Sequence, residues 1–155
     1  MSEYTAAALQ TVNPGETIIF TNTVEPCNRG FVRHRDETGN FLLKGWLPPQ
    51  RGCCCRRRQT ANYLVDFKAD VAVATGETVG PITVAITVDG ATVPASTMTS
   101  TPAAAEEFNN ISAAITVPVW KGCCETVAVR NTSPIPIQVQ NANIIFTRPD
   151  LQITY

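Results

Sequence analysis

The chain has 155 residues and a formal net charge of −1, with twelve Lys and Arg against thirteen Asp and Glu. This balance creates no field that would draw the protein onto nucleic acid or an anionic membrane. No apolar run approaches the roughly 20 residues that cross a bilayer, and the start Met1-Ser2-Glu3-Tyr4 lacks the regions of a signal peptide. We therefore expect a single domain, residues 1–155, made in the cytoplasm, with no nucleic-acid partner and no membrane partner.

The first half of the chain predicts short strands and one long one. Short strands are predicted at 17–21, 31–35 and 41–44, with a turn at 36–40 between the last two. The long strand is predicted at 63–73, because apolar residues occupy every second position over eleven residues. These residues are Tyr63, Val65, Phe67, Ala69, Val71 and Val73.

The second half continues the pattern of strands. Residues 82–88 alternate and meet Asp89-Gly90, a preferred pair for a two-residue type I′ hairpin, so 91–101 is predicted as the returning strand. The stretch 102–108 has helical propensity but is too short to form a stable helix. Further strands are predicted at 111–119, 125–131, 135–140 and 143–147.

About ten strands spaced in this way predict an all-β, antiparallel sandwich of two sheets. The core is expected over roughly residues 8–147, and the tail over residues 148–155. Leu151 and Ile153 alternate with polar residues in that tail, so we expect it to dock on a neighbouring chain.

Four segments carry a resemblance to a known superfamily. They are Gly15-Glu16-Thr17-Ile18-Ile19-Phe20, Ala61-Asn62-Tyr63-Leu64-Val65-Asp66-Phe67, Ile86-Thr87-Val88-Asp89-Gly90, and Val117-Pro118-Val119-Trp120-Lys121-Gly122 with the strand 126–131 after it. In their order they resemble the tumour necrosis factor and complement globular-head superfamily of jelly rolls, in its bacteriophage or gut-bacterial branch. The resemblance implies a jelly-roll fold and a homotrimer. Members of that branch look like virion fibre, decoration or receptor-contact proteins.

Six cysteines occur as Cys27, Cys53-Cys54-Cys55 and Cys123-Cys124. Because the chain lacks a secretion signal, free thiols are the default interpretation. A disulfide from the 53–55 cluster to Cys27, Cys123 or Cys124 stays open, as does a thiol site gathered at a trimer axis. Adjacent cysteines in a strand point to opposite faces, so we predict no metal site and no cofactor.

Two further groups are candidates for binding. Arg56, Arg57 and Arg58 form the strongest charge cluster, which suits either a phosphate or sulfated-glycan contact or a solvated strand edge. Trp46 and Trp120 lie at predicted strand ends, where an indole can stack on a sugar, anchor an interface or simply cover the core.

An enzyme would need His34, the single histidine, to activate a cysteine, with Asp36 two residues on. No cysteine carries a catalytic signature around it, so we predict no catalytic residue. The leading hypothesis is a homotrimeric structural protein of a phage particle (head fibre, decoration or tail-associated) located on the virion, with capsid or tail proteins and possible host-surface glycans as partners. The alternative is a glycan- or receptor-binding module on a bacterial or spore surface.

Overall fold

The computed structural model describes residues 1–27, 29–35, 37–48 and 59–151. Within these residues, twelve strands form two antiparallel six-stranded sheets, and the helices are two 3-10 turns at Pro94–Ser96 and Pro149–Leu151. No helix in this part of the chain has the length and apolarity to cross a membrane. The strands are β1 Ser2–Ala6, β2 Gln10–Val12, β3 Asn22–Glu25, β4 Val32–His34, β5 Phe41–Lys44, β6 Thr60–Val73, β7 Ile82–Val88, β8 Ala91–Thr92, β9 Met98–Ser100, β10 Asn109–Trp120, β11 Cys124–Asn131 and β12 Ile137–Thr147.

The first sheet has the strand order β10, β6, β12, β1, β3, with β2 beside the beginning of β12. The pairing of β6 with β10 runs from Val71 opposite Asn109 to Thr60 opposite Trp120. This register places Trp120 at the end of the sheet. The second sheet has the order β4, β5, β11, β7, β8, with β9 also paired to β7. Its strands β5 and β11 bring Lys44 opposite Cys124.

The core lies between the two sheets. The apolar alternation on β6 holds as predicted, since all six residues from Tyr63 to Val73 on that face are buried. Phe41 is the centre of an aromatic cluster, with ring centroids 4.8 Å from Tyr4 and 4.9 Å from Phe146. Burial of these rings on both inner faces supplies the hydrophobic stabilisation that a sandwich needs.

The hairpin prediction at Asp89-Gly90 is confirmed, because φ is +48° at Asp89 and +82° at Gly90 between β7 and β8. The returning strand, however, is not continuous over 91–101. Pro94 begins a 3-10 turn, and the Ser96 hydroxyl accepts the backbone N–H of Ile86 at 2.9 Å. A proline without an N–H therefore divides the predicted strand into β8 and β9.

Three other predicted strands differ from the structure. Residues 17–21 form no ladder beyond a bridge from Thr17 to Arg130, because the Gln10 side chain bonds both the N–H and the C=O of Ile19 at 2.9 Å. Residues 135–147 contain one strand, β12, rather than two. It begins at Ile137 and has a register shift between Gln140 and Asn143. Strands β1, β2 and β3 were not predicted from the sequence; β1 lies between β12 and β3.

Candidate functional site

Trp46 and Trp120 lie at the same end of the sandwich. Trp46 follows β5 after Gly45, and Trp120 ends β10. Both indoles remain accessible, with 45% of Trp46 and 60% of Trp120 exposed. Beside Trp46 is an open pocket of about 410 Å³, which we call the Trp46 pocket. It is lined by Lys44, Gly45, Trp46, Leu47, Lys121, Gly122, Cys123 and Cys124.

Backbone hydrogen bonds hold the two walls of this pocket together. Gly45 donates its N–H to the carbonyl of Cys123 at 2.8 Å, and Gly122 donates to the carbonyl of Gly45 at 2.9 Å. A Cβ atom on Gly45 would lie 1.9 Å from the Trp120 carbonyl oxygen, so the two backbones can approach this closely only at a glycine. Gly122 has φ of +81°, which closes the turn after Trp120. We call these contacts the Gly45 clasp.

One face of the Trp46 ring packs against the ring of Phe31. Their rings are stacked, with centroids 5.1 Å apart and planes inclined by 20°. Phe31 in turn lies under the guanidinium of Arg148, whose Cζ is 5.4 Å from the ring centroid. One face of Trp46 is thereby fixed in place while 45% of the residue remains accessible.

Arg148 is buried at the centre of this arrangement. It forms an ion pair with Asp150 at 2.6 Å, with only 5% and 7% of the two side chains exposed. The same guanidinium donates to the Trp46 carbonyl at 3.2 Å and lies 4.8 Å from the centroid of the Tyr63 ring. Burial disfavours the charge, but hydrogen bonds with Asp150 and Tyr63 outweigh it and raise the pKa of Arg148. The first residues of the predicted tail thus pack on this chain, while residues 152–155 lie outside the described ranges.

Tyr63 connects the buried arginine to β5. Its hydroxyl donates to the carbonyl of Lys44 at 2.7 Å, and the Tyr63 hydroxyl oxygen accepts from Arg148 Nη1 at 3.4 Å. Burial raises the pKa of Tyr63 and outweighs the opposing effect of Arg148, so the hydroxyl keeps its proton at neutral pH. Tyr63 therefore fixes the end of β5 directly before Gly45 and the Trp46 pocket.

The described cysteines fall in two places. Cys123 and Cys124 are exposed at the Trp46 pocket, whereas Cys27 is half-buried and its Sγ accepts the N–H of Phe31 at 3.3 Å. These three do not form a disulfide with one another. Cys53, Cys54 and Cys55 lie outside the described residues, so their pairing stays a prediction. Across the residues described, no group of three or more metal-ligating side chains is assembled.

The other candidates are placed as follows. Arg56, Arg57 and Arg58 lie outside the described residues, and a contact through them stays a prediction. His34 stacks on Phe41 with a centroid distance of 4.6 Å, and its Nε2 lies 2.9 Å from the Thr38 carbonyl. Its ring is therefore part of the packed aromatic cluster. Sequence reasoning missed Phe31, Gly45, Arg148 and Asp150, because the contacts that bring Phe31, Gly45 and Arg148 to this end join residues far apart in the chain, and Asp150 follows Arg148.

Replacing Arg148 with Met should lower the free energy of unfolding by about 3 kcal/mol, since it leaves the Asp150 carboxylate buried without its cation. Urea unfolding followed by circular dichroism measures this loss. Combining Arg148→Met with Asp150→Leu should recover part of it, because the unpaired charge is then gone. Equal stability of Arg148→Met and the unmodified protein would contradict the structural role of the ion pair.

No protein-family model matches the chain, and no curated protein matches it. Solved structures do. The TNF protein Eiger from S. frugiperda aligns over 95% of this chain and 90% of its own with a TM-score of 0.61 and 12% identity. The globular domain of zebrafish complement 1qA aligns over 93% of this chain and 94% of its own, with a TM-score of 0.58 and 11% identity. Murine APRIL aligns over 92% of this chain and 95% of its own, with a TM-score of 0.50 and 10% identity. At such identities the likeness concerns the fold, which is the two-sheet jelly roll of the tumour necrosis factor and complement globular-head type.

Proposed function

We propose that this chain is a recognition module that binds carbohydrate through Trp46 and Trp120. The observation that carries the proposal is the pair of accessible indoles at one end of the sandwich, one of them supported by a stacked ring. Leaving two indoles in water forgoes the burial that large aromatic rings usually gain in a core. The C–H face of a sugar ring can restore that burial by stacking on the indole.

The setting of the site also supports recognition. Trp46 is held by the Gly45 clasp, by Phe31 and by Arg148, so little side-chain freedom is lost when a ligand binds. Binding residues carried by loops on a rigid scaffold are the usual arrangement in β-sandwiches. The open pocket has a mostly apolar lining that includes one aromatic ring and two lysines, and a sugar with an apolar ring face and polar substituents suits that lining.

Self-assembly into a homotrimer is the second part of the proposal. It rests on the resemblance to the superfamily and on the outer face of the first sheet, where Ser112, Ala114 and Thr116 on β10 are small and exposed. Ala114 lies opposite Asp66 on β6, next to a groove of about 440 Å³. Small side chains on a long sheet permit close approach of a second surface. A trimer would present three copies of the Trp46 pocket and raise avidity for a repeated ligand.

The placement of such a trimer on a phage particle, with capsid or tail proteins as partners, stays a prediction. So does the alternative of a bacterial or spore surface. A trimeric module that binds surface sugars is compatible with host attachment in either setting, because both need many weak contacts acting together.

Trp46→Ala and Trp120→Ala should each weaken sugar binding at least about tenfold, since each removes an aromatic surface on which the ligand stacks. A glycan array identifies the ligand, and titration calorimetry gives the affinities. Val79→Ala is the matched control, because Val79 is similarly exposed (41%) but lies in the loop after β6, away from Trp120. Sugar binding that survives both tryptophan substitutions would contradict this site.

Ala114→Arg should convert the trimer into a monomer, because it places a long charged side chain on the proposed contact face. Light scattering after size exclusion should give three times the chain mass of 16.7 kDa for the unmodified protein and one chain mass for the variant. Thr99→Arg, exposed on β9 of the second sheet, should remain trimeric. A monomer before any substitution would contradict the proposed assembly.

A further inference from the structure

We infer that the sugar bound at the Trp46 pocket is acidic, bearing a carboxylate or a sulfate. This inference rests on the proposed carbohydrate binding and adds the charge of the ligand. It comes from the ionisable residues that line the pocket, which the tryptophans alone would not indicate.

The two cationic residues of the pocket lining are Lys44 and Lys121. Lys44 lines the pocket from the end of β5, and Lys121 lines it from the turn after Trp120. The lining residues include no Asp or Glu. Neither lysine is in an ion pair with another described residue, because within the described ranges the salt bridge present is that of Arg148 with Asp150. The described lining of the Trp46 pocket therefore contributes two lysines and no carboxylate beside Trp46.

Three acidic residues that contact β11, one another or Arg148 are already engaged elsewhere. Glu125 follows Cys124 in β11, and its carboxyl is hydrogen-bonded to Asp89 in the hairpin, which raises the pKa of Glu125. Asp89 also accepts the N–H of Thr126 at 2.7 Å. Asp150 is held by Arg148 at 2.6 Å. The side chains of Glu125, Asp89 and Asp150 therefore contact groups other than Lys44 and Lys121.

A lysine beside an aromatic ring suits an acidic sugar for a specific reason. The ring stacks on the apolar face of the sugar, and the ammonium then donates a charge-assisted hydrogen bond to a carboxylate or sulfate on the same residue. A neutral sugar uses the aromatic contact but leaves the ammonium groups with water alone. With a net charge of −1 the protein has no general attraction for polyanions, so the local lysines must supply the selectivity.

The test uses a glycan array with neutral, carboxylated and sulfated sugars, followed by calorimetric titration of matched sets such as lactose, sialyllactose and sulfated lactose. The unmodified protein should bind acidic members at least about tenfold more tightly than their neutral counterparts. Raising the salt concentration from about 50 to about 500 mM should weaken this binding. Comparison of sialyllactose with sulfated lactose shows whether the pocket binds a carboxylate or a sulfate.

The Lys44→Gln/Lys121→Gln double variant should lose at least about tenfold in affinity for the acidic sugar. Arg33→Gln is the matched control, since Arg33 is an exposed cation on β4 of the second sheet and lines neither the Trp46 pocket nor the groove beside Ala114. Binding of neutral sugars alone, lost in Trp46→Ala, would overturn the acidic ligand and leave the proposed function intact. Absence of binding to every sugar on the array would overturn the proposed function itself. Acidic-sugar binding unchanged in the double variant would also overturn the inference.

Discussion

The approach of two backbones at Gly45 is the constraint on which the Trp46 and Trp120 end of the sandwich depends. The loop after β5 and the turn between β10 and β11 exchange hydrogen bonds of 2.8 and 2.9 Å through Gly45, next to the pairing of Lys44 with Cys124 in the second sheet. A side chain there would meet the Trp120 carbonyl at 1.9 Å. Because this turn connects β10 of the first sheet to β11 of the second, both tryptophans are carried by backbone that the sandwich itself holds in place.

Arg148 stabilises the same end from inside. A buried guanidinium is costly unless its charge and its donors are satisfied, and here Asp150, Tyr63 and the Trp46 carbonyl satisfy them. Replacing such a pair with apolar residues often costs little, so its value here lies in position rather than in net stability. It fixes Phe31 and Trp46 relative to β6 and the chain's last described turn.

The strands that sequence reasoning predicted well are those with long local patterns. The period of two from Tyr63 to Val73 and the Asp89-Gly90 turn depend on neighbours in the chain, and both are confirmed. Trp46 and Trp120 could be placed at strand ends for the same reason. Their position at the same end of the sandwich could not be predicted, because the pairing of β6 with β10 and the contact at Gly45 join residues far apart in sequence. Likewise, no pattern in the neighbouring residues indicates that Arg148 is buried. Nor does any local pattern indicate that the Gln10 side chain, instead of a neighbouring strand, forms hydrogen bonds with the backbone of Ile19.

The clasp is tested most directly by comparing the unfolding of Gly45→Ala with that of Gly80→Ala in urea. A Cβ at Gly80 has open space around it, so this variant should match the unmodified protein or gain slightly. Gly45→Ala should lose about 1–3 kcal/mol, because the added methyl forces two hydrogen-bonded backbones apart. Equal unfolding midpoints for the two variants would contradict the close approach at Gly45, and with it the clasp that holds the Trp46 pocket.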